Sequence, residues 1–292
     1  MQNLEHIDNF LNDLLHIKNY SKETIDNYKR DLIQLNNSLE QKSLTSLNRS
    51  DVSMWIKKLH AQGNSTKTIQ RKISSIRSFF NFLLNNEIVS INPTIGIKAP
   101  KGEKKLPKAI NIDELAYLLE IKPYNDIEAR DIASFDLLYS CGIRLSELST
   151  IQINDINISK KSIRVTGKGN KERIVYFGSK TLGNLKRWLD IRDSFSPQSN
   201  YLFISQIGTH LTNRSIQKRL EIFAQKYATK HIHPHMLRHS FASHVLDSSK
   251  DLLAVKDLLG HADISSTQIY THLNFQQLVD VFDNSHPRAK KK

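Results

Sequence analysis

The sequence predicts a mainly α-helical protein with one small β-hairpin, divided into an N-terminal helical domain and a larger mixed α/β domain. Three observations carry this. Apolar residues recur at helical spacing over much of the chain, as in Ile69, Ile73, Ile76, Phe80 and Leu83. Strong period-two alternation is confined to 162–166 and 173–177, on either side of Gly167-Lys168-Gly169-Asn170-Lys171. The helical pattern stops at Asn92-Pro93, and a Pro-, Gly- and Lys-rich stretch follows as far as Pro107. A chain of 292 residues suits one large or two ordinary domains.

Residues 1–88 read as helices only. Leu4, Ile7, Leu11, Leu14 and Leu15 space a first helix, and Ser21 caps a second that carries Ile25, Tyr28, Leu32 and Leu35. Ser50 or Asp51 begins a third with Val52, Trp55, Ile56 and Leu59, and Gly63 ends it. Ser65 or Thr66 opens the fourth, whose opposite face carries Lys67, Arg71, Ser74 and Ser78. Such a basic, small face suits a helix lying on DNA, with Lys67 and Arg71 as contacts; it equally suits a solvated outer face. Residues 89–106, with Pro100-Lys101-Gly102 and Lys104-Lys105, form a basic connector that could wrap DNA or serve as a plain hinge.

In the second domain, 107–286, helical periodicity returns after Asn111-Ile112-Asp113-Glu114 and runs through Leu119, and another helix over 129–140 turns Ile132, Phe135, Leu138 and Tyr139 inward. Gly142 permits a sharp turn, after which Arg144 starts a helix with Glu147 three residues on. That pairing favours an anion, or is an ordinary surface Arg–Glu pair. The hairpin bears lysines at its tip; its Gly-Lys-Gly lacks the spacing of a phosphate loop. Thr212-Asn213 caps a helix from Arg214 to Tyr227 whose polar face shows Arg214, Gln217, Lys218 and Glu221. Arg and Gln are the side chains that read guanine and adenine edges, so Arg214 and Gln217 are DNA-contact candidates.

Pro234 suits the first turn of a helix running through Phe241 to about Leu246. His235 and Arg238 share one face, while Leu237 and Phe241 point into a core. An imidazole beside a guanidinium suits a phosphate. His235 and His239 also have zinc-ligand spacing, but Met236 stands where a zinc protease has Glu. Beyond lie Leu-Leu-Gly-His, ending at His261, and Gln-Ile-Tyr-Thr-His, containing Tyr270.

Lys and Arg total 42 against 29 Asp and Glu, a formal charge of +13, which points to a polyanion such as nucleic acid. The single cysteine, Cys141, excludes an internal disulfide and fits a reducing cytosol. No apolar run is long enough for a membrane span, and the opening residues lack the basic-then-apolar pattern of a secretion signal. A cytoplasmic protein without membrane insertion is expected.

Arg144, Lys168, His235-x-x-Arg238, His261 and Tyr270, in that order, resemble the active-site signature of the tyrosine site-specific recombinases. Gly-Lys-Gly-Asn-Lys-Glu-Arg (167–173) and Ser-Thr-Gln-Ile-Tyr-Thr-His (266–272) are similar to those of the bacterial Xer type. The endings Tyr-Thr-His-Leu-Asn-Phe-Gln and His-Pro-Arg-Ala-Lys resemble the XerC branch rather than XerD. The resemblance implies a SAM-like N-terminal core-binding domain, a catalytic domain over 107–286 and a basic tail at 287–292. It implies Tyr270 as nucleophile, Arg144 and Arg238 as the phosphate clamp, and Lys168 as general acid. His235 would be the acid/base partner, His261 a further phosphate donor and Glu147 the support of the arginines. No metal or cofactor is implied. The implied partners are double-stranded DNA, a XerD-like recombinase in a heterotetramer on a dif-type chromosomal site, and a septal translocase of the FtsK type. Residues 275–282 would dock on a neighbouring subunit. A phage or mobile-element integrase shares the chemistry; a long extra arm-binding domain would favour that reading, and the short N-terminus here does not.

Overall fold

The computed structural model describes residues 2–18, 20–38, 42–100, 109–167, 170–250 and 288. The chain forms two compact units, Met1–Lys105 and Leu106–Lys292.

The first unit contains helices α1 (Gln2–His16), α2 (Lys22–Asn37), α3 (Arg49–Ala61) and α4 (Thr66–Asn85). Side chains cap the starts of the last three. Ser21 accepts from the Thr24 N–H, Ser65 from the Thr68 N–H, and Asn48 forms a reciprocal box with Asp51. The third helix therefore begins before Ser50, because Asn48 is its cap. The apolar faces of Phe10, Leu14, Leu32, Leu35, Trp55, Ile76 and Phe80 close into one core. Leu4 and Leu15 keep helical spacing but flank that stripe and stay exposed. Asp31 is fully buried on α2 and gathers Arg71, Lys72 and the Ser75 hydroxyl from α4.

The second unit runs α5 (Ile112–Glu120), α6 (Asp126–Ser140), α7 (Leu145–Thr150), β1 (Ile156–Asn157), β2 (Ser162–Thr166), β3 (Glu172–Tyr176), α8 (Ser179–Arg192), α9 (Asn213–Tyr227) and α10 (Pro234–Ser249). The strands form an antiparallel sheet in the order β1-β2-β3, and β2 pairs β3 from Ser162↔Tyr176 to Thr166↔Glu172. The Gly167 N–H donates to the Lys171 carbonyl at 2.8 Å and closes the hairpin. β3 begins one residue before the expected Arg173.

Helix α6 is the axis of this unit. Asn125 caps it, so it starts ahead of the expected Ala129, and it is buried on every side from Glu128 to Ser140. It packs against α5, α7, α8, α9 and α10. Helix α8 was not anticipated. Its Trp188 indole N–H donates to the Leu202 carbonyl, and Arg192 donates to the Ser199 and Tyr201 carbonyls, tying the following irregular stretch to the helix. At the centre Asp136 accepts from Ser140, Thr181, Asn184 and, at 2.6 Å, Arg288. Among the described residues no helix is long and apolar enough to cross a membrane.

Candidate functional site

The turn from α6 to α7 and the first half of α10 build the site. Gly142 lies in that turn at φ +57°, and its backbone presses on the Phe241 ring. Only a residue without Cβ tolerates both. On α10, Pro234 occupies the first turn and His233 caps it, its Nδ1 accepting from the Met236 N–H. Leu237 and Phe241 are buried, as their spacing predicts, so Arg238 emerges on the adjacent face. There it donates to the Gly142 carbonyl, which locks the α6–α7 turn to α10.

Arg144 is the N-cap of α7. Its backbone N–H donates to Glu147 Oε2 at 2.7 Å and its Nη1 to Oε1 at 2.9 Å. Glu147 is 2% exposed, so this is a buried carboxylate rather than half of a surface pair. Arg173 of β3 completes it, its Nη1 and Nη2 reaching Oε1 and Oε2 at 2.8 and 2.9 Å. Burial works against the charge on Glu147. The hydrogen bonds from Arg173 and Arg144 outweigh it and hold the carboxyl below its ordinary pKa. Arg238 belongs to the same field: burial, then the nearby Arg144 and Arg173 charges, push its pKa down to about 10, against the pull of Glu147.

Three guanidiniums thus lie in the field of one carboxylate. A phosphodiester's non-bridging oxygens match such planar donors, and negative charge developing on those oxygens would be stabilised there. His235 is exposed on α10 one turn before Arg238. Lys168, His261 and Tyr270 lie outside the described residues, as does 275–282. Among the described residues no three His, Cys, Asp or Glu side chains gather as a metal site.

The other candidates lie on other elements. Lys67 is exposed at the start of α4, whereas Arg71 on that helix is engaged by Asp31. Arg214 and Gln217 are exposed on α9, whose Ile216 and Leu220 face the core. Arg214 and Lys218 share a cleft with Arg130 and Arg219.

The sequence by itself assigns Arg173 no role. The signal was present in the strand alternation: Arg173 and Val175 fall on the same face of β3, and Val175 is buried. A cation on the inward face of a strand requires a carboxylate partner.

Residues 108–277 match the phage integrase family, and residues 7–87 match the phage integrase N-terminal SAM-like domain. Tyrosine recombinase XerC of Actinobacillus pleuropneumoniae serotype 7 is 42% identical over 285 residues, 96% of this chain and 93% of that protein. Tyrosine recombinase XerC of Vibrio cholerae serotype O1 is 44% identical over 260 residues, covering 87% and 83%. Among solved structures, XerH recombinase bound to its palindromic difH substrate aligns with a TM-score of 0.71 at 24% identity, covering 91% of this chain and 81% of that one. The Tn1549 transposon integrase in complex with transposon right end DNA aligns at 0.72 and 18% identity, covering 94% and 97%. These two likenesses are of fold.

Proposed function

We propose a specific task for this chain, which belongs to the phage integrase family and is a tyrosine recombinase, an enzyme of site-specific DNA cleavage and rejoining. The task is resolution of chromosome dimers at a dif-type site, with a XerD-like recombinase as the other half of a heterotetramer and a septal translocase of the FtsK type as regulator. The reaction would take place in the cytoplasm. What supports this reading is the arginine cluster, with Arg144 and Arg238 convergent on Glu147 and Gly142, in a chain with XerC relatives over most of its length.

In this reading residues 1–88 are a DNA-binding domain, 89–106 a linker, 107–286 the catalytic domain and 287–292 a basic tail. The Tyr270 hydroxyl attacks the scissile phosphorus and the bond to the 5′-oxygen breaks, leaving a 3′-phosphotyrosine and a 5′-hydroxyl. Lys168 gives the leaving oxygen its proton, and His235 takes the one from Tyr270. Arg144 and Arg238 hold the non-bridging oxygens, with His261 donating one further hydrogen bond. A free tyrosine has a pKa of about 10, and the surrounding guanidiniums favour its ionised form. The phosphotyrosyl bond keeps the energy of the broken one, so a 5′-hydroxyl from another strand reverses the step without ATP. Lys67, Arg71, Arg214 and Gln217 contact the DNA.

The test is footprinting of the protein on chromosomal DNA, alone and with the XerD-like recombinase of the same cell. Cooperative occupation of adjacent unlike half-sites, followed by strand exchange, is expected. Occupation of a palindrome by this protein alone would overturn the XerD-like partner, and occupation of sites on a mobile element would overturn the dimer-resolution reading.

A further inference from the structure

We infer that Arg173 is a positioning residue of the recombination reaction: by pairing both oxygens of Glu147 it keeps that buried carboxylate from capturing Arg144, and so leaves Arg144 available to the scissile phosphate. The inference rests on the reading of Arg144 as part of the phosphate clamp.

The geometry is a competition for one anion. Arg173 meets Glu147 side-on, with two parallel hydrogen bonds of 2.8 and 2.9 Å. Arg144 reaches the same carboxylate with one side-chain nitrogen, on an oxygen it shares with Arg173. The Arg144 side chain is 36% exposed and that of Arg173 is 20% exposed, so Arg144 is the one that opens to a ligand. Fork-to-fork pairing is the strongest arrangement available to a guanidinium and a carboxylate. While Arg173 holds that position, Arg144 is restricted to its single contact. The charge balance agrees. Arg173 and Glu147 cancel as a bidentate pair, which leaves the Arg144 charge directed at a ligand.

Without Arg173 the buried Glu147 keeps its charge and must find another partner. Arg144 is already bound to it through both its backbone and its side chain. Rotation into a bidentate pair would withdraw the second Arg144 donor from the phosphate. Gly167 shows how closely this contact is built into the hairpin base: a Cβ there would lie 3.3 Å from Glu147 Oε1 and 3.6 Å from Arg173 Nη1.

The experiment is single-turnover formation of the covalent protein–DNA adduct by the full chain, with saturating enzyme, on two nicked substrates. One carries the normal scissile phosphodiester. The other has a 5′-bridging phosphorothiolate, whose thiolate leaves without a proton and so needs no general acid. Arg173→Ala is expected to slow cleavage by about 10- to 100-fold, by analogy with the hydrogen-bonded partners that orient the ligands of metal sites. The factor should be the same on both substrates, because the clamp acts on non-bridging oxygens. Lys168→Ala serves as the contrast and should be restored by the thiolate. Adding Glu147→Gln to Arg173→Ala should recover most of the lost rate, since a neutral amide no longer competes for Arg144; with the assay run well below the melting temperature of both variants, a purely structural salt bridge leaves no rate defect to recover. Should Arg173→Ala melt below the assay temperature, Arg173→Lys supports the same comparison. It keeps the charge but loses the fork, and is expected to give a smaller defect, again equal on both substrates.

Wild-type cleavage by Arg173→Ala, restoration of its rate by the thiolate, or no recovery from Glu147→Gln would each overturn the inference. Absence of any adduct from the wild-type protein on either substrate would instead overturn the recombinase site on which it rests.

Discussion

Gly142 lies against the ring of Phe241 so closely that a Cβ on the glycine would collide with it, and the carbonyl of the same glycine receives Arg238. One residue thus fixes both the turn before Arg144 and the guanidinium opposite. Gly142→Ala is expected to cost about 1–3 kcal/mol, from the positive φ and the displaced ring. It should also slow DNA cleavage. Gly183→Ala on α8, where a Cβ meets nothing within 4 Å, is the control and should melt at or above the wild-type temperature. Melting curves and adduct assays on the two variants decide; equal behaviour would contradict the role given to Gly142.

In the N-terminal unit, Asp31→Ala removes the carboxylate that holds Arg71 and the buried Lys72. Leaving a buried ammonium without its anion costs about 3–5 kcal/mol. Hydrogen exchange in α2 and α4 should accelerate accordingly, while α6 keeps its protection. Unchanged exchange in α4 would show that Lys72 finds enough compensation in Gln34, its other partner.

His244 sets a pH dependence. The Tyr139 hydroxyl lies 2.9 Å from its Nδ1, and burial lowers its pKa, with His239 adding to the effect and the Ile110 backbone and Asp247 opposing it. The folded state therefore favours the neutral ring. That contribution to stability is complete above the unfolded value of about 6.5 and is lost as pH falls through the lowered folded value. The melting temperature should drop between pH 7 and pH 5, and His244→Phe should flatten the slope. An identical slope in the variant would exclude His244 as its source.

Arg288 reaches the core from the end of the chain and pairs with the fully buried Asp136 at 2.6 Å. Arg288→Ala should lower stability by about 1–3 kcal/mol, because Ser140, Thr181 and Asn184 still satisfy the carboxylate. Asp136→Asn in the same background should recover part of that loss. A wild-type melting curve for Arg288→Ala would rule out a structural anchor.

The elements that were legible in the sequence bury one face and start at a visible cap. The stripe Ile69, Ile73, Ile76, Phe80 and Leu83 on α4 behaves this way, as does the Pro234 start of α10. The spacing of Ile132, Phe135, Leu138 and Tyr139 predicts a one-faced helix α6, yet every residue from Glu128 to Ser140 is buried because helices pack all around it. No local period records such an environment. Helix α8 is illegible for a related reason: Gly183 lies within it, and its contribution to the core rests on Thr181, Asn184, Leu185 and Trp188 rather than on a continuous apolar stripe. In the site, Arg144 and Arg238 were legible because each sits next to a helix start or an apolar face. The fork between Arg173 and Glu147 joins a strand to a helix across a long interval of chain, and only the tertiary pairing reveals it.

The most direct test of the whole reading is the identity of the residue joined to DNA. Wild-type protein is incubated with a nicked substrate that traps the cleaved strand, digested with trypsin, and the nucleotide-bearing peptide is sequenced by mass spectrometry. The expected peptide carries its 3′-phosphate on Tyr270, and Tyr270→Phe should yield no adduct while still shifting the DNA in a native gel. Attachment to another side chain, or an adduct at wild-type level from Tyr270→Phe, would contradict the central claim.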